Sequence, residues 1–446
     1  MLSRRLFSTS TAKLARAEVT KLSNGLTIIT KPTNSKLSSI GVYLNSGSRA
    51  ENPYNSGVST LTGNVLKNSS IARKALLSSG IKVSSTNDKE LSGIAVASFV
   101  PGNFKDASST LETLLKDSSK LVADEFTVKE EAAKTAALAD EFEEVPDKMV
   151  VEHMTATAFQ GTTLALPTFG KAETLSTLQA VDLQDFLGKN LLSSNVALVG
   201  YGSDIDHDAL VKVASKLAIP SGARLAFSPT SFLGSDVRMR DDNMPKAYVA
   251  ISAKIPGARS EHDFYTGLVA AHINGQFLGA DSLYTSFEGS KLSQLVASNG
   301  LGDYYNHFQL AYSDIGLWGV YMSSPAISYL DEYVHFVLKS WNRFSAGTVT
   351  DAELQKGKQE LKLALTGSNA SAAEQTKALA LEYFARGFLP SDEEILQSID
   401  TVSHKDLVNW AQKYLYDQDI ALAASGQIED VFDYGRIRND MSMMRW

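Results

Sequence analysis

Apolar and polar positions near the start of the chain fall into short alternating runs. Glu18 to Lys31 flanks Asn24-Gly25, a dipeptide that tolerates positive φ, and this predicts two short strands joined by a tight hairpin. Ser39-Ile-Gly-Val-Tyr-Leu44 predicts the next strand, which leads into a turn-rich stretch from Asn45 and then into apolar positions at helical spacing. Ile81–Ser85 and Glu90–Val100 form a further Gly-punctuated strand pair. From Asn103 to His153 the period becomes helical, with Leu111, Leu114 and Leu115 on one face.

The same pattern then recurs. Leu175 to Asp185 followed by the strand Asn195–Gly202 has a counterpart in Leu396 to Asp406 followed by Asp419–Gly426, an offset of 221 to 224 residues. Each is a capped amphipathic helix ahead of a buried strand ending in glycine, and the offset is half the chain. An α+β protein of two similar domains follows, each a mainly antiparallel sheet with helices packed on it. The expected division is 15–218 and 232–446, joined by a Pro, Gly and Ser-containing linker over 219–231. Within the second half, Ala247 to Ile251 alternates as a strand, Asn306 to Tyr321 reads as a half-buried hairpin, and Tyr304 and Tyr305 are expected to pack in that sheet. The tail gathers Arg436, Arg438 and Arg445 with Met441, Met443, Met444 and Trp446, which predicts docking against a partner subunit or an anionic membrane.

Composition narrows the function. The chain has 446 residues, 43% hydrophobic and 21% charged, so sizeable cores can form; no apolar run reaches the 18 residues or so of a membrane span. With no cysteine, disulfides, thiol chemistry and haem attachment through C-x-x-C-H are all excluded. No Gly-rich nucleotide loop occurs; Gly200-Tyr-Gly202 supplies only two glycines of a dinucleotide fingerprint, and Ser203–Asp206 suits a helix cap. Residues 1–14 are basic and hydroxyl-rich, with no acid before Glu18, the composition of a mitochondrial transit peptide; the spacing of Arg5-Leu-Phe-Ser-Thr-Ser10 resembles the two-step matrix cleavage pattern, which implies a mature start near Ala15. Its removal deletes Arg4, Arg5 and Lys13 and takes the formal charge from −8 to −11, which argues against nucleic acid as a partner. The seven histidines, His153, His207, His262, His272, His307, His335 and His404, include no two spaced three to five apart, so no local histidine pair can hold a metal. Each lone histidine reads as a surface or satisfied core residue.

The stretch Gly47-Ser-Arg-Ala-Glu51 resembles the active-site loop of the pitrilysin-like zinc metallopeptidases, the family of mitochondrial processing peptidase, where it precedes a helix carrying H-x-x-E-H. The resemblance puts the two histidines on Thr60 and Asn64 and the catalytic glutamate on Gly63. Ala156-Thr-Ala-Phe-Gln160, similar to the family's A-T-A-Y-Q, anchors the third ligand on Leu138 and an earlier acid on Glu131. The arginine that helps hold substrate backbone in active members has no match between Lys291 and Tyr304. The acid run Asp140–Glu144 with Asp147 would attract basic peptides in the family's cleft, and otherwise reads as a solvated helix face.

The likeness is most specific over Gly47–Asn55, Phe232–Lys246, His307–Tyr321 and Arg436–Trp446. There it resembles the family's branch of core subunits in ubiquinol:cytochrome c oxidoreductase, respiratory complex III. It implies a non-catalytic structural subunit without metal or cofactor, peripheral on the matrix side of the mitochondrial inner membrane. The implied partners are a second core subunit, cytochrome b and cytochrome c1 in a dimeric complex, cytochrome c oxidase in larger assemblies, and the lipid surface. The alternative is a presequence-binding subunit of a processing peptidase, a role that in the family uses a Gly-rich loop not evident between Pro256 and Ala297.

Overall fold

The computed structural model describes residues 16–33, 37–217, 219–222, 226–279, 289–325, 329–367 and 371–442; the predicted transit peptide and residues Met443, Met444, Arg445 and Trp446 of the tail lie outside them. The first sheet comprises β1 (Glu18–Lys21), β2 (Thr27–Lys31), β3 (Ser38–Leu44), β4 (Ile81–Asn87), β5 (Ser92–Ser98) and β6 (Val196–Tyr201), in the order β1-β2-β6-β3-β5-β4. The second comprises β7 (Ser235–Arg240), β8 (Ala247–Pro256), β9 (Gln276–Leu278), β10 (Tyr304–Ala311), β11 (Ile315–Ser324) and β12 (Ile420–Gly426), in the order β7-β12-β8-β11-β10-β9. Replacing β2, β3, β4, β5 and β6 by β7, β8, β10, β11 and β12 converts one order into the other, leaving β1 and β9 as added edges. Even the directions agree: β2 runs parallel to β6 and β7 parallel to β12, while the remaining pairs are antiparallel.

The sequence duplication corresponds to this topology. The helices Ala180–Asn190 and His404–Tyr414, which precede β6 and β12, both start with a reciprocal capping box, Gln179 with Asp182 and Ser403 with Asp406. The hairpin at Asn24-Gly25 joins β1 to β2, with Gly25 at φ +96° and the Asn24 side chain accepting from the Leu26 N–H at 3.0 Å.

Each sheet buries two faces, and the cover differs. One face of the first sheet, bearing Ile28, Ile40, Val42, Ile94 and Leu198, packs on helices of its own half. Its other face, bearing Ile29, Tyr43, Ala95, Ala197 and Val199, is covered by Leu379, Ala380 and Phe384 of the helix Ala372–Arg386, which belongs to the second half of the sequence. The second sheet mirrors this. Its outer face packs on Trp341, Leu407 and Trp410 of its own helices, while Ala250, Leu317, Ala421 and Ala423 lie under Val150, Met154 and Ala158 of the helix Pro146–Ala158 from the first half. Small residues at these crossings let the helix approach the sheet. The reciprocal cover explains a difference from expectation: β11, read as half-buried, is buried on both faces except at Tyr321.

The lone histidines behave as structural groups where the core holds them. His307 is buried between Trp318 and Trp341; Trp341 Nε1 donates to its Nε2 at 3.1 Å, so Nδ1 carries the proton and meets the Gly275 carbonyl at 3.2 Å. Burial lowers its pKa to about 3, so it stays neutral. Tyr305 is fully buried beside it and donates to the Asn274 carbonyl at 3.0 Å. The tail differs from the docking expectation in part: Met441 lies in the second half's own core, and Arg438 is paired with Asp417 and Asp419, both at 2.9 Å. Those two side chains are satisfied internally.

Met154 is fully buried in a pocket built by the opposite half. Met154→Ala should therefore cost about 2–5 kcal/mol of unfolding free energy, measured by urea titration, against no more than about 0.5 kcal/mol for an exposed substitution.

Candidate functional site

The loop leaving β3 is held by its backbone before any side chain acts. Ser48 and Arg49 donate their N–H groups to the carbonyls of Asp88 and Lys89 at 3.1 and 2.8 Å. Gly47 is required for this approach, because a Cβ there would stand 1.9 Å from the Asp88 oxygen. The loop thus delivers Arg49 inward with almost no exposure.

Arg49 ties the two halves together. Its guanidinium meets Glu90 of the first half, forks onto Asp314 of the β10–β11 turn at 2.8 and 2.7 Å, and donates to the Ser228 carbonyl at 3.2 Å and the Thr230 hydroxyl at 2.7 Å. Its charge also lies 4.8 Å from the centre of the Phe227 ring. Glu90 in turn accepts from the N–H and hydroxyl of Ser313 at 2.9 and 2.7 Å. Burial would raise the Asp314 carboxyl, but its bonds to Arg49 outweigh that and hold it below the usual carboxylate range.

Glu51 caps the next helix. Its carboxylate accepts the N–H groups of Gly57 and Ser59 at 2.7 and 2.9 Å and the Ser59 hydroxyl at 2.5 Å, at the start of the helix Val58–Lys67. Burial pushes its pKa up to about 7, with those donors and Lys89 offsetting only part of the shift.

Along that helix lie the positions where the family resemblance puts metal ligands. The Thr60 hydroxyl donates to the Thr168 carbonyl at 3.3 Å and accepts from Asn87 Nδ2 at 2.7 Å. Asn64 donates to the Thr135 hydroxyl and accepts from Ser85, both at 3.1 Å. One turn on, Asn68 donates to Glu131 at 2.6 Å, and Lys134 holds the other Glu131 oxygen at 2.9 Å. The contacts Asn64 to Thr135 and Asn68 to Glu131 show that this helix and Glu125–Glu143 run antiparallel, which brings Leu138 to the level between Thr60 and Asn64. Leu138 is 57% exposed.

The donor set does not fit a zinc ion. Thr60 and Asn64 present a neutral hydroxyl and an amide, Leu138 presents hydrocarbon, and Glu131 is engaged elsewhere. Gly63 offers no base, and a Cβ there would sit 3.0 Å from the Ser85 Cβ, so a longer side chain enters only if its neighbour gives. Among the described residues no group of three or more His, Cys, Asp or Glu is arranged to hold a metal ion.

In the second half, Lys291 is ion-paired with Glu353 at 3.2 Å on the rim of a cleft of about 730 Å³ that Tyr304 also lines. Asp140, Glu141, Glu143 and Glu144 are exposed, whereas Asp147 accepts from the Tyr321 hydroxyl at 2.6 Å across the two halves. Sequence reasoning singled out the loop around Arg49 but missed Glu90, Ser313 and Asp314. These are separated from it by up to 265 residues and carry no local motif.

Two alike α+β halves, facing each other beside a helix whose ligand positions carry neutral groups, define a peptidase architecture of the pitrilysin type. Residues 27–172 match the profile of Insulinase (Peptidase family M16) and residues 177–361 that of the Peptidase M16 inactive domain, and the chain belongs to this family. It is 35% identical over its whole length to the "Cytochrome b-c1 complex reductase subunit, mitochondrial" of Candida albicans, covering 98% of that protein. To the "Cytochrome b-c1 complex subunit 1, mitochondrial" of Saccharomyces cerevisiae it is 36% identical, over 97% of this chain and 94% of the relative. The "Mitochondrial-processing peptidase subunit beta" of Lentinula edodes is 32% identical over 99% and 96% of the two chains. A solved chain of "Complex III2 from Candida albicans, Inz-5 bound" superposes with a TM-score of 0.90 at 33% identity, over 96% of this chain and all of that one.

Two outcomes test this geometry. Arg49→Met leaves two buried or half-buried carboxylates without their cation and should cost about 3–5 kcal/mol in denaturant unfolding. Because Glu51's folded pKa of about 7 lies above its unfolded value, its contribution is fully present below the unfolded pKa and is lost as pH rises through 7. Glu51→Gln should remove that slope, so the variant's stability relative to the parent rises by about 3 kcal/mol between pH 4.5 and 8 in thermal or chemical unfolding.

Proposed function

We propose that the chain is a structural core subunit of the mitochondrial cytochrome b-c1 complex, supporting its assembly and stability without peptidase activity and without a redox role. The observation that carries this is the neutral Thr60, Gly63, Asn64 and Leu138 set inside an otherwise whole M16 fold, in a chain similar along its full length to b-c1 subunits. No residue is assigned a catalytic or metal-binding role. The processing-peptidase reading has weaker support, since the relatives of that name quoted above and a second, from Neurospora crassa, are 32% and 30% identical.

The proposed setting is the matrix face of the inner membrane, held there by other subunits: a second core subunit, cytochrome b and cytochrome c1. Among the described residues no helix is long and apolar enough to cross a membrane. The proposed mature chain starts near Ala15, with domains 15–218 and 232–446 joined by 219–231. After gentle solubilisation of mitochondria, this chain should co-purify with haem-bearing cytochromes in fixed ratio; recovery free of haem, or with an active presequence peptidase, would refute the assignment.

The zinc argument has its own test. The variant Thr60→His/Gly63→Glu/Asn64→His should bind zinc at least about tenfold more weakly than the same variant with Leu138→Glu added, because a catalytic zinc takes three protein ligands. Equal affinity by competition with a fluorescent chelator would show that the third position lies elsewhere.

A further inference from the structure

Two apolar cores of the first half meet without closing completely on one another. At their seam, between the helix Val58–Lys67, strands β3 and β5, and the helices Phe104–Leu121 and Ala180–Asn190, lies a hollow of about 40 Å³. A single water needs only about 10–15 Å³ of such space. Val42, Leu44, Ile94, Phe186 and Leu187 form its hydrocarbon wall, and all are buried. The gap exists because the residues between them are small. Ser59, Gly63, Gly93 and Ser118 supply almost no volume, and Gly93 can supply none, since a Cβ there would stand 2.5 Å from the Val42 carbonyl oxygen.

Water finds little to hold it there. The Ser59 hydroxyl is given to Glu51, the Thr62 hydroxyl to the Val58 carbonyl at 2.7 Å, and the Ser118 hydroxyl to the Leu115 carbonyl at 2.7 Å. Among the described residues Ser92 is the one lining hydroxyl without such a bond, a single partner where a buried water uses about three. No titratable side chain lines the hollow among the described residues, so no charge stands ready for an ion. Of the lining residues, Gly63, Leu115 and Leu191 are half-buried and mark the way in.

We infer that this hollow binds a small uncharged apolar molecule, of the size of dioxygen, xenon or a short alkane. Its wall offers dispersion contacts on every side and next to no hydrogen bonding, which selects against polar ligands. Its volume selects against an aromatic ring, because an apolar cavity that takes benzene measures about 150 Å³. The hollow belongs to the first half alone, so the inference holds whether or not the chain is part of a respiratory complex.

Xenon NMR of the full chain tests this. The xenon shift should titrate to saturation in the parent, and Ser118→Leu, whose added side chain fills the space, should weaken that binding by about tenfold or more without lowering the thermal midpoint. A parent response that never saturates would overturn the inference, as would equal binding by the parent and a folded Ser118→Leu. Should Ser118→Leu fail to fold, Leu187→Ala decides, since it enlarges the same space. Benzene should then raise the thermal midpoint of Leu187→Ala and leave the parent unmoved; a response in both or in neither would contradict the assigned site.

Discussion

Everything in this fold depends on each sheet having a face that only the other half can cover. Tyr43, Ala95, Ala197 and Val199 lose water only when Leu379, Ala380 and Phe384 arrive from the far half of the chain, and Ala421 and Ala423 wait in the same way for Met154. Neither half finishes its core alone. Apolar burial drives the exchange but is indifferent to angle, so register between the halves falls to polar groups.

Arg49 supplies that register. A buried ion pair is a weak source of net stability, because desolvation offsets much of the attraction, yet its geometry is demanding. A planar fork satisfied at once by Glu90, Asp314, Thr230 and the Ser228 carbonyl fits only one placement of the β10–β11 turn against the loop after β3. This separates two jobs within one short stretch. Gly47, Arg49 and Glu51 serve the fold directly, whereas a metal and its base would have served only chemistry. With neutral Thr60 and Asn64 and bare Gly63 on the helix that follows, the loop still has work that any scaffold of this shape requires.

Much of the architecture was readable from the chain. Asn24-Gly25 marks its hairpin because few other dipeptides accept that turn, and the repeated helix and strand around Asp182 and Asp406 foretold equivalent positions for β6 and β12. The crossed helices were not readable. Periodicity in Pro146–Ala158 reports that one side is apolar and says nothing of which sheet receives it. For the same reason β11 looked half-buried: alternation is judged against water, and the second cover comes from the far half. At the site, the neutral side chains of Thr60 and Asn64, four apart on one helix, were readable locally, while Glu90, Ser313 and Asp314 gain meaning only once the halves meet.

The most direct measurement of that central constraint is native-state hydrogen exchange on the amides of β3 and β12. If each half completes the other, the slowest amides of both strands open with the same free energy and the same dependence on denaturant. Opening of β3 at clearly lower free energy while β12 stays protected would contradict the account, because it would show a second half that is stable without the first.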